Sequence, residues 1–277
     1  METQLIVVYC ICDDLVKVLN ACEDKQSLMS NAEILTTMIA AAMFFGGNCE
    51  KARKFMLDGK YVKYMLSKSQ FNRRIHAIDR HVIETIFYIL SKVFVEQETN
   101  KEFCVDSFPV PVCDNIRISR CKIYTSEEHR GYISSKKRYF YGIRVHLVTS
   151  STGAPIEILI APGSYHDCRV FKAFNLDIPE GSVIYGDTAY TDYEYEDLLK
   201  DAAGISLVPG RKENSKRPLE PCLEFLRKLK RKIIETAFSE ISALLPKSIH
   251  AVTAKGFCLK VFMFVLAYSF KCLQVTT

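Results

Sequence analysis

The stretch SVIYGDTAYTDYEYED, residues 182–197, decides how the chain folds. Val183, Ile184 and Tyr185 run apolar into the interior as a strand, and Gly186 and Asp187 then set a carboxylate at its tip. Thr191 and Glu194 have the spacing of a capping box, opening a helix that Gly204 ends. The unit is therefore strand, acid, helix. Six of the fifteen residues 187–201 are acidic against one lysine, in a chain whose formal charge is +5. So much negative charge inside a basic protein calls for a positive partner.

Outward from this unit the chain reads as mixed α/β. On its N-terminal side, KEFCVDSFPVPV is a short apolar strand broken by prolines, with Asp106 inside it. From Arg138 the residues alternate, with Tyr139, Tyr141, Ile143, Val145 and Leu147 on one face. Ser151-Thr152-Gly153 turns the chain and PIEILIAP returns antiparallel. GSYHD then enters a short helix, CRVFKAFNL. On the C-terminal side, ISLVP makes a fifth strand and GRKENSKRPLEP a basic loop. Leu223, Leu226, Leu229, Ile233, Phe238, Ile241 and Leu244 mark a long helix ended by Pro246. Five strands with helices between and after them predict a sheet covered by helices over residues 101–277.

Residues 1–100 read as an all-helical domain. Ser30 and Glu33 cap one helix, stopped by Gly46-Gly47. A long pattern opens at Ser69, with Phe71, Ile75, Ile78, Val82, Ile86, Ile89 and Val93 on one stripe. Asn72, Arg73, Arg74, His76 and Arg80 take the opposite face, which fits a helix-turn-helix that reads DNA and equally fits a solvated basic surface.

Composition narrows the alternatives. Eleven cysteines, an odd count with no CxxC, read as reduced thiols and not as a disulfide scaffold or zinc knot. METQLIVVYCIC has no basic start or small-residue cleavage site, so no export signal is expected. FCLKVFMFVLAYSFKCL is too short between its lysines to span a bilayer and reads as a core helix. Local charge is +7 over 51–80, +6 over 117–146 and +5 over 205–247. Basic surface around an acidic pocket suits a polyanion gripped outside a cation-binding centre. With no tryptophan for sugar stacking, a two-carboxylate glycosidase is remote.

Asp106, Asp187 and Glu235 are acids at element ends or in otherwise apolar and basic settings. If the first and fourth strands are neighbours, the two aspartates emerge together. Clustered carboxylates repel, and a hard divalent cation with oxygen ligands removes that conflict. Two magnesium or manganese ions so held suit phosphodiester chemistry.

These residues carry a resemblance. YCICDDLVK, MLSKSQFNRRIH, DSFPVPVCDNIRI, HRGYISSKKRYFYGIRVHLVT, PGSYHDCRVF, YGDTAYTDYEYEDLL, NSKRP, ETAFSEI and SIHAVTAKGF run in order along nearly the whole chain. In them it resembles transposases of bacterial insertion sequences with an Asp-Asp-Glu catalytic domain, closest to the insertion-sequence group numbered nine-eight-two. The resemblance implies a ribonuclease H-like fold with a five-stranded sheet. It also implies Asp106, Asp187 and Glu235 as the catalytic acids. Arg231 matches the arginine of a Tyr-Arg-Glu-Lys helix signature, but Lys228 stands where that signature has tyrosine and Ser242 where it has lysine, and Lys247 lies beyond Pro246. Glu240 is a rival third acid on another side of the helix.

By resemblance the partners are the element's terminal inverted repeats and target DNA. The protein would act as a homodimer on paired ends, in the bacterial cytoplasm at the nucleoid and without a membrane. Phosphates would meet Arg231, Lys232, Arg211, Lys212, Lys136, Lys137 and Arg138, with Arg73 and Arg74 in the N-terminal domain. His166 and Asp167 are auxiliary candidates or a helix cap. Magnesium-dependent strand cleavage and strand transfer is the expected reaction. A nuclease of the same fold without strand transfer, and a non-catalytic DNA-binding descendant, are the competing expectations.

Overall fold

The computed structural model describes residues 1–19, 26–133 and 136–273. Its contacts divide the chain into two compact units. The first comprises residues 1–90 and 240–251 and the segment from 255 onward; the second comprises 91–239 and 252–254. Against the expected division at residue 100, the helical unit stops at residue 90 and takes in residues 240–251. The C-terminal helix α9 (Ala254–Cys272) lies, from Lys255, in the helical unit and not with the sheet.

In the helical unit, α1 (Glu2–Val18) buries Leu5, Val8, Cys12 and Val16, one face at helical spacing. It packs on α2 (Asn31–Phe44), which is buried on nearly every side. Ser30 and Glu33 form the capping box expected there. Gly46 and Gly47 both adopt left-handed backbone, and a Cβ on Gly47 would lie 2.7 Å from Cζ of Phe264 on α9. That close approach explains why the stop signal is glycine. α9 is a core helix, as expected, and Phe262 meets Phe87 at 5.6 Å between ring centroids. No single helix among the described residues is long and apolar enough to cross a membrane.

After α3 (Cys49–Asp58), the long helix expected from Ser69 is two helices. α4 (Lys68–Ala77) starts one turn's edge earlier, with Ser67 and Gln70 as its capping box. Ile78 is extended at ψ 130°, and Asp79 then accepts the His81 N–H at 3.0 Å to open α5 (Arg80–Gln97). The apolar stripe runs through the break because both helices bury the same kind of face, so periodicity alone did not reveal the corner.

The second unit is built on one sheet. Its strands are β1 (Glu102–Asp114), β2 (Arg130–Ile133), β3 (Arg138–Ser150), β4 (Pro155–Pro162), β5 (Val183–Gly186) and β6 (Ser206–Pro209). β1 lies between β3, antiparallel, and β5, parallel; β6 adds beyond β5. β2 and β4 pair with successive parts of the same edge of β3, Tyr141 facing Arg130 and Ile143 facing Pro162. The described residues therefore form six strands where five were expected, but the sheet is still five strands across. β2 escaped notice because four residues around a glycine show no period.

The prolines do not break β1. It runs 13 residues and pairs with β3 through Pro109 and Pro111, with an irregularity only between Pro111 and Cys113. Both prolines have the same parity, so their nitrogens can point away from β3, on the side where β5 pairs only with Glu102–Cys104. β3 is buried on both faces along most of its length, so the expected alternation does not hold, and Tyr139, placed on the apolar stripe, is exposed. A central strand covered on both faces reads as an apolar run.

Four further elements cover or close the sheet: α6 (Asp167–Phe171), α7 (Tyr193–Ala203), α8 (Pro221–Leu244) and the short turn Thr188–Tyr190. α7 begins one residue later than the capping pattern suggested. Asp192, not Thr191, caps it by accepting the Tyr195 N–H at 3.2 Å, and Gly204 ends it in left-handed backbone as expected.

Candidate active site

Even-numbered residues of β1 face α8. Cys104 Sγ lies 3.3 Å from the Lys230 carbonyl, and the Phe108 and Phe238 rings stand 4.8 Å apart. Asp106, between them, is thereby aimed at α8 by the strand's twofold period. Asp187 follows β5 directly. Every pair in the β1–β5 register is 81 residues apart, as Glu102 and Val183 are, and so are Asp106 and Asp187. Extending the ladder brings the two carboxylates level.

α8 supplies the rest. Arg227 donates through Nη1 to the Gly186 carbonyl at 3.2 Å and grips Glu224 with Nε and Nη2 at 2.9 and 2.7 Å. Lys230 bonds Glu102 at 2.6 Å, and Tyr185 donates its hydroxyl to the same carboxylate at 3.1 Å. These contacts fix the helix against the ends of β1 and β5. One turn on from Arg227, Arg231 reaches three acids. Its Nη1 is 3.2 Å from Asp187, and its Nη2 is 3.1 Å from Asp106 and 3.6 Å from Glu235. Asp106 is 17% exposed, Asp187 43% and Glu235 59%, so the cluster runs from the interior to the surface.

Electrostatics follow that gradient. Burial pushes the Asp106 carboxyl above its ordinary pKa, opposed by the Ser107 N–H, at 2.8 Å, and by Arg231. For Arg231, burial works against the charge, but Asp106, Asp187 and Glu235 outweigh it and hold the pKa above the arginine norm.

Residues 95–250, more than half of the chain, match the family model described as the transposase DDE domain. The chain belongs to this family. No curated protein and no solved structure matches it. Transposases act on DNA, and those with a DDE domain generally use divalent metal ions. Asp106, Asp187 and Glu235 all fall within the matched DDE domain.

As a donor set the three acids fit a hard divalent cation: all are oxygen ligands and all converge on one positive group. As placed, no three His, Cys, Asp or Glu side chains among the described residues surround a point where an ion could sit. The guanidinium of Arg231 lies among the three carboxylates.

The other expected residues divide by burial. Lys232, Lys212, Arg73, Lys136, Lys137 and Arg138 are exposed, the last three around the turn between β2 and β3. Arg211 is not presented to solvent. It makes a buried two-pronged ion pair with Glu196 and packs 5.1 Å from the Tyr193 ring. Arg74 is tied to Ser27, the Met29 carbonyl and Asn31 at the start of α2. Glu240 belongs to the helical unit, where it acts on Tyr268. His166 is exposed and caps α6 by position only, with no side-chain bond.

Asp167 is held behind the first acid. It accepts the Ser107 hydroxyl at 2.6 Å and stands 3.6 Å from Nδ1 of His146. Arg144 donates to the same hydroxyl at 3.2 Å. His146 is fully buried opposite Ser107 on β3, and burial lowers its pKa to about 4 against the pull of Asp167. Sequence reasoning missed Arg227, Lys230, Ser107 and His146. For the first two a signal was present: 227, 230, 231 and 235 share one helical face, spaced three or four apart.

Proposed function

We propose that the protein is the transposase of a bacterial insertion sequence, of the group numbered nine-eight-two. It would cut one DNA strand at each end of the element and join the freed 3′-hydroxyl to target DNA. The observation that carries this reading is the meeting of Asp106, Asp187 and Glu235, from two strands and a helix, at one guanidinium inside the DDE domain. The strand order, with β1 between an antiparallel and a parallel neighbour, supports a ribonuclease H-like fold.

Asp106, Asp187 and Glu235 would hold two magnesium or manganese ions, which polarise a phosphoryl oxygen and activate the attacking hydroxyl when bound. The protein's own groups do the positioning. The Ser107 N–H orients Asp106, with Asp167 behind it as auxiliary; His166 has only its place at the head of α6 to recommend it. Arg227 and Lys230 keep α8 at the strand ends. Lys232, exposed beside Arg231, neutralises the reacting strand, and Lys136, Lys137, Arg138 and Lys212 take further phosphates. Exposed Asn72, Arg73 and His76 on α4 suit recognition of the terminal repeats by the helical domain. Two copies on paired ends, in the cytoplasm, complete the reading.

A supercoiled plasmid carrying the element's ends tests it. Magnesium should produce nicked and then joined products. Asp187→Asn should lose more than about 100-fold in rate, as expected when several kcal/mol of charge stabilisation goes. Undiminished cutting by that variant overturns the assignment. Pre-cut ends that are never joined would leave a nuclease without strand transfer.

A further inference from the structure

Arg231 differs from the two cations that precede it on the same face of α8. Arg227 uses all three of its guanidinium nitrogens, one of them on a main-chain carbonyl, and Lys230 closes on Glu102. Those two dock the helix. Among the described residues, the hydrogen bonds and ion pairs of Arg231 go only to acids: Asp106, Asp187 and Glu235. Its Nε is buried and has no partner. Its side chain is 22% exposed, so it has a way out. Withdrawing it would break no polar contact but those with the acids and leave α8 held by Arg227 and Lys230.

We propose that Arg231 is a displaceable counter-ion of the acid triad, competing with the divalent cation for the same oxygens and released toward a DNA phosphate when the cation binds. The inference rests on the reading of Asp106, Asp187 and Glu235 as the cation ligands. Its logic is charge and hardness. One guanidinium cannot lose its proton and cancels only one of three carboxylate charges, so the cluster keeps an excess negative charge that attracts a divalent ion. Direct coordination by hard oxygens also suits such an ion better than hydrogen bonds suit a guanidinium. Once displaced, the fork of Arg231, including the Nε now without an acceptor, matches a phosphate by two parallel hydrogen bonds. The arginine thus keeps like charges together before the cation arrives and turns to the substrate afterwards.

Calorimetric titration of manganese into the full chain, without DNA, tests this on wild type, Arg231→Gln, Arg231→Lys and Asp187→Asn. Arg231→Gln should melt lower without metal yet bind manganese at least about tenfold tighter, because no charge-assisted bonds have to be broken first. Its manganese-induced rise in Tm should exceed that of wild type. Arg231→Lys, whose single ammonium cannot span three acids, should tighten binding by a smaller factor, and it serves alone if the glutamine variant does not fold. Equal or weaker binding in the Arg231 variants, with binding still abolished by Asp187→Asn, overturns the inference and leaves the active-site reading standing. No binding by any folded form overturns both.

Discussion

Replacing Arg227 with methionine should loosen the seat of α8 without touching an acid of the triad. The side chain is only 8% exposed, so its charged hydrogen bond to the Gly186 carbonyl is a buried one. Losing such a charge-assisted bond costs about 1.5–3 kcal/mol, although the carbonyl keeps the Gly210 N–H at 3.2 Å. The pair with Glu224 adds less, because that carboxylate is 30% exposed, and about 0.5–1 kcal/mol is appropriate. The expected loss at pH 7 is therefore about 2–4 kcal/mol. The two parts separate by pH. The Arg227 hydrogen bond is the first cause holding the Glu224 carboxyl below its ordinary pKa. A depressed carboxyl stabilises the fold above its unfolded pKa, and that contribution vanishes as pH falls through the folded value. Acidification should thus narrow the gap between wild type and Arg227→Met by the smaller part and leave the larger. Urea unfolding followed by circular dichroism at pH 7 and pH 3 measures both. A gap under about 0.5 kcal/mol at pH 7, or one that widens in acid, refutes the reasoning. The proposed cleavage should fall further than stability, since Gly186 is joined directly to Asp187.

Other outcomes follow from other parts of the molecule. Gly47→Val should cost about 2–4 kcal/mol, read as a fall in Tm, because it combines a left-handed φ of 76° with a Cβ only 2.7 Å from Phe264. His146, held neutral to about pH 4 by burial, should cost the fold roughly 3 kcal/mol as pH drops from 6.5 to 4, since the unfolded chain takes up the proton first. A His146→Phe variant should show a flatter Tm-against-pH curve over that range. Arg211→Ala should lose about 3–5 kcal/mol by stranding buried Glu196. Lys212→Ala, by contrast, should leave Tm nearly unchanged and lower the salt slope of DNA binding by about one.

The three acids that Arg231 gathers were legible because they lie where local pattern is strongest. Asp187 ends an apolar strand that runs into an acidic helix, and Glu235 rides a helix whose apolar spacing is plain. Asp106 stood out despite the prolines around it, though the strand was taken to break there. What stayed hidden depends on pairing. Nothing local marks Arg130–Ile133 as a strand, since its order comes from Tyr141 and Phe140 across the ladder. Arg211 and Arg74 look like any surface arginine until Glu196 and Asn31 are brought to them from elsewhere in the chain. His146 sits in a strand that reads simply as apolar. The corner at Ile78 is invisible because two amphipathic helices meeting there keep one continuous stripe. Charge runs locate basic surface, but they do not separate a cation that meets phosphate from one spent inside the fold.

Pro109 and Pro111 shape what can approach the first acid. A bare strand margin normally invites another polypeptide to zip onto it, but a margin carrying two imino acids offers no donors at those places. The amide of that parity just after Asp106, on Ser107, is already taken by the carboxylate itself. Beside Asp106, β1 is therefore inhospitable to neighbouring protein chains, and anything that settles past Cys104 must do so without a backbone ladder.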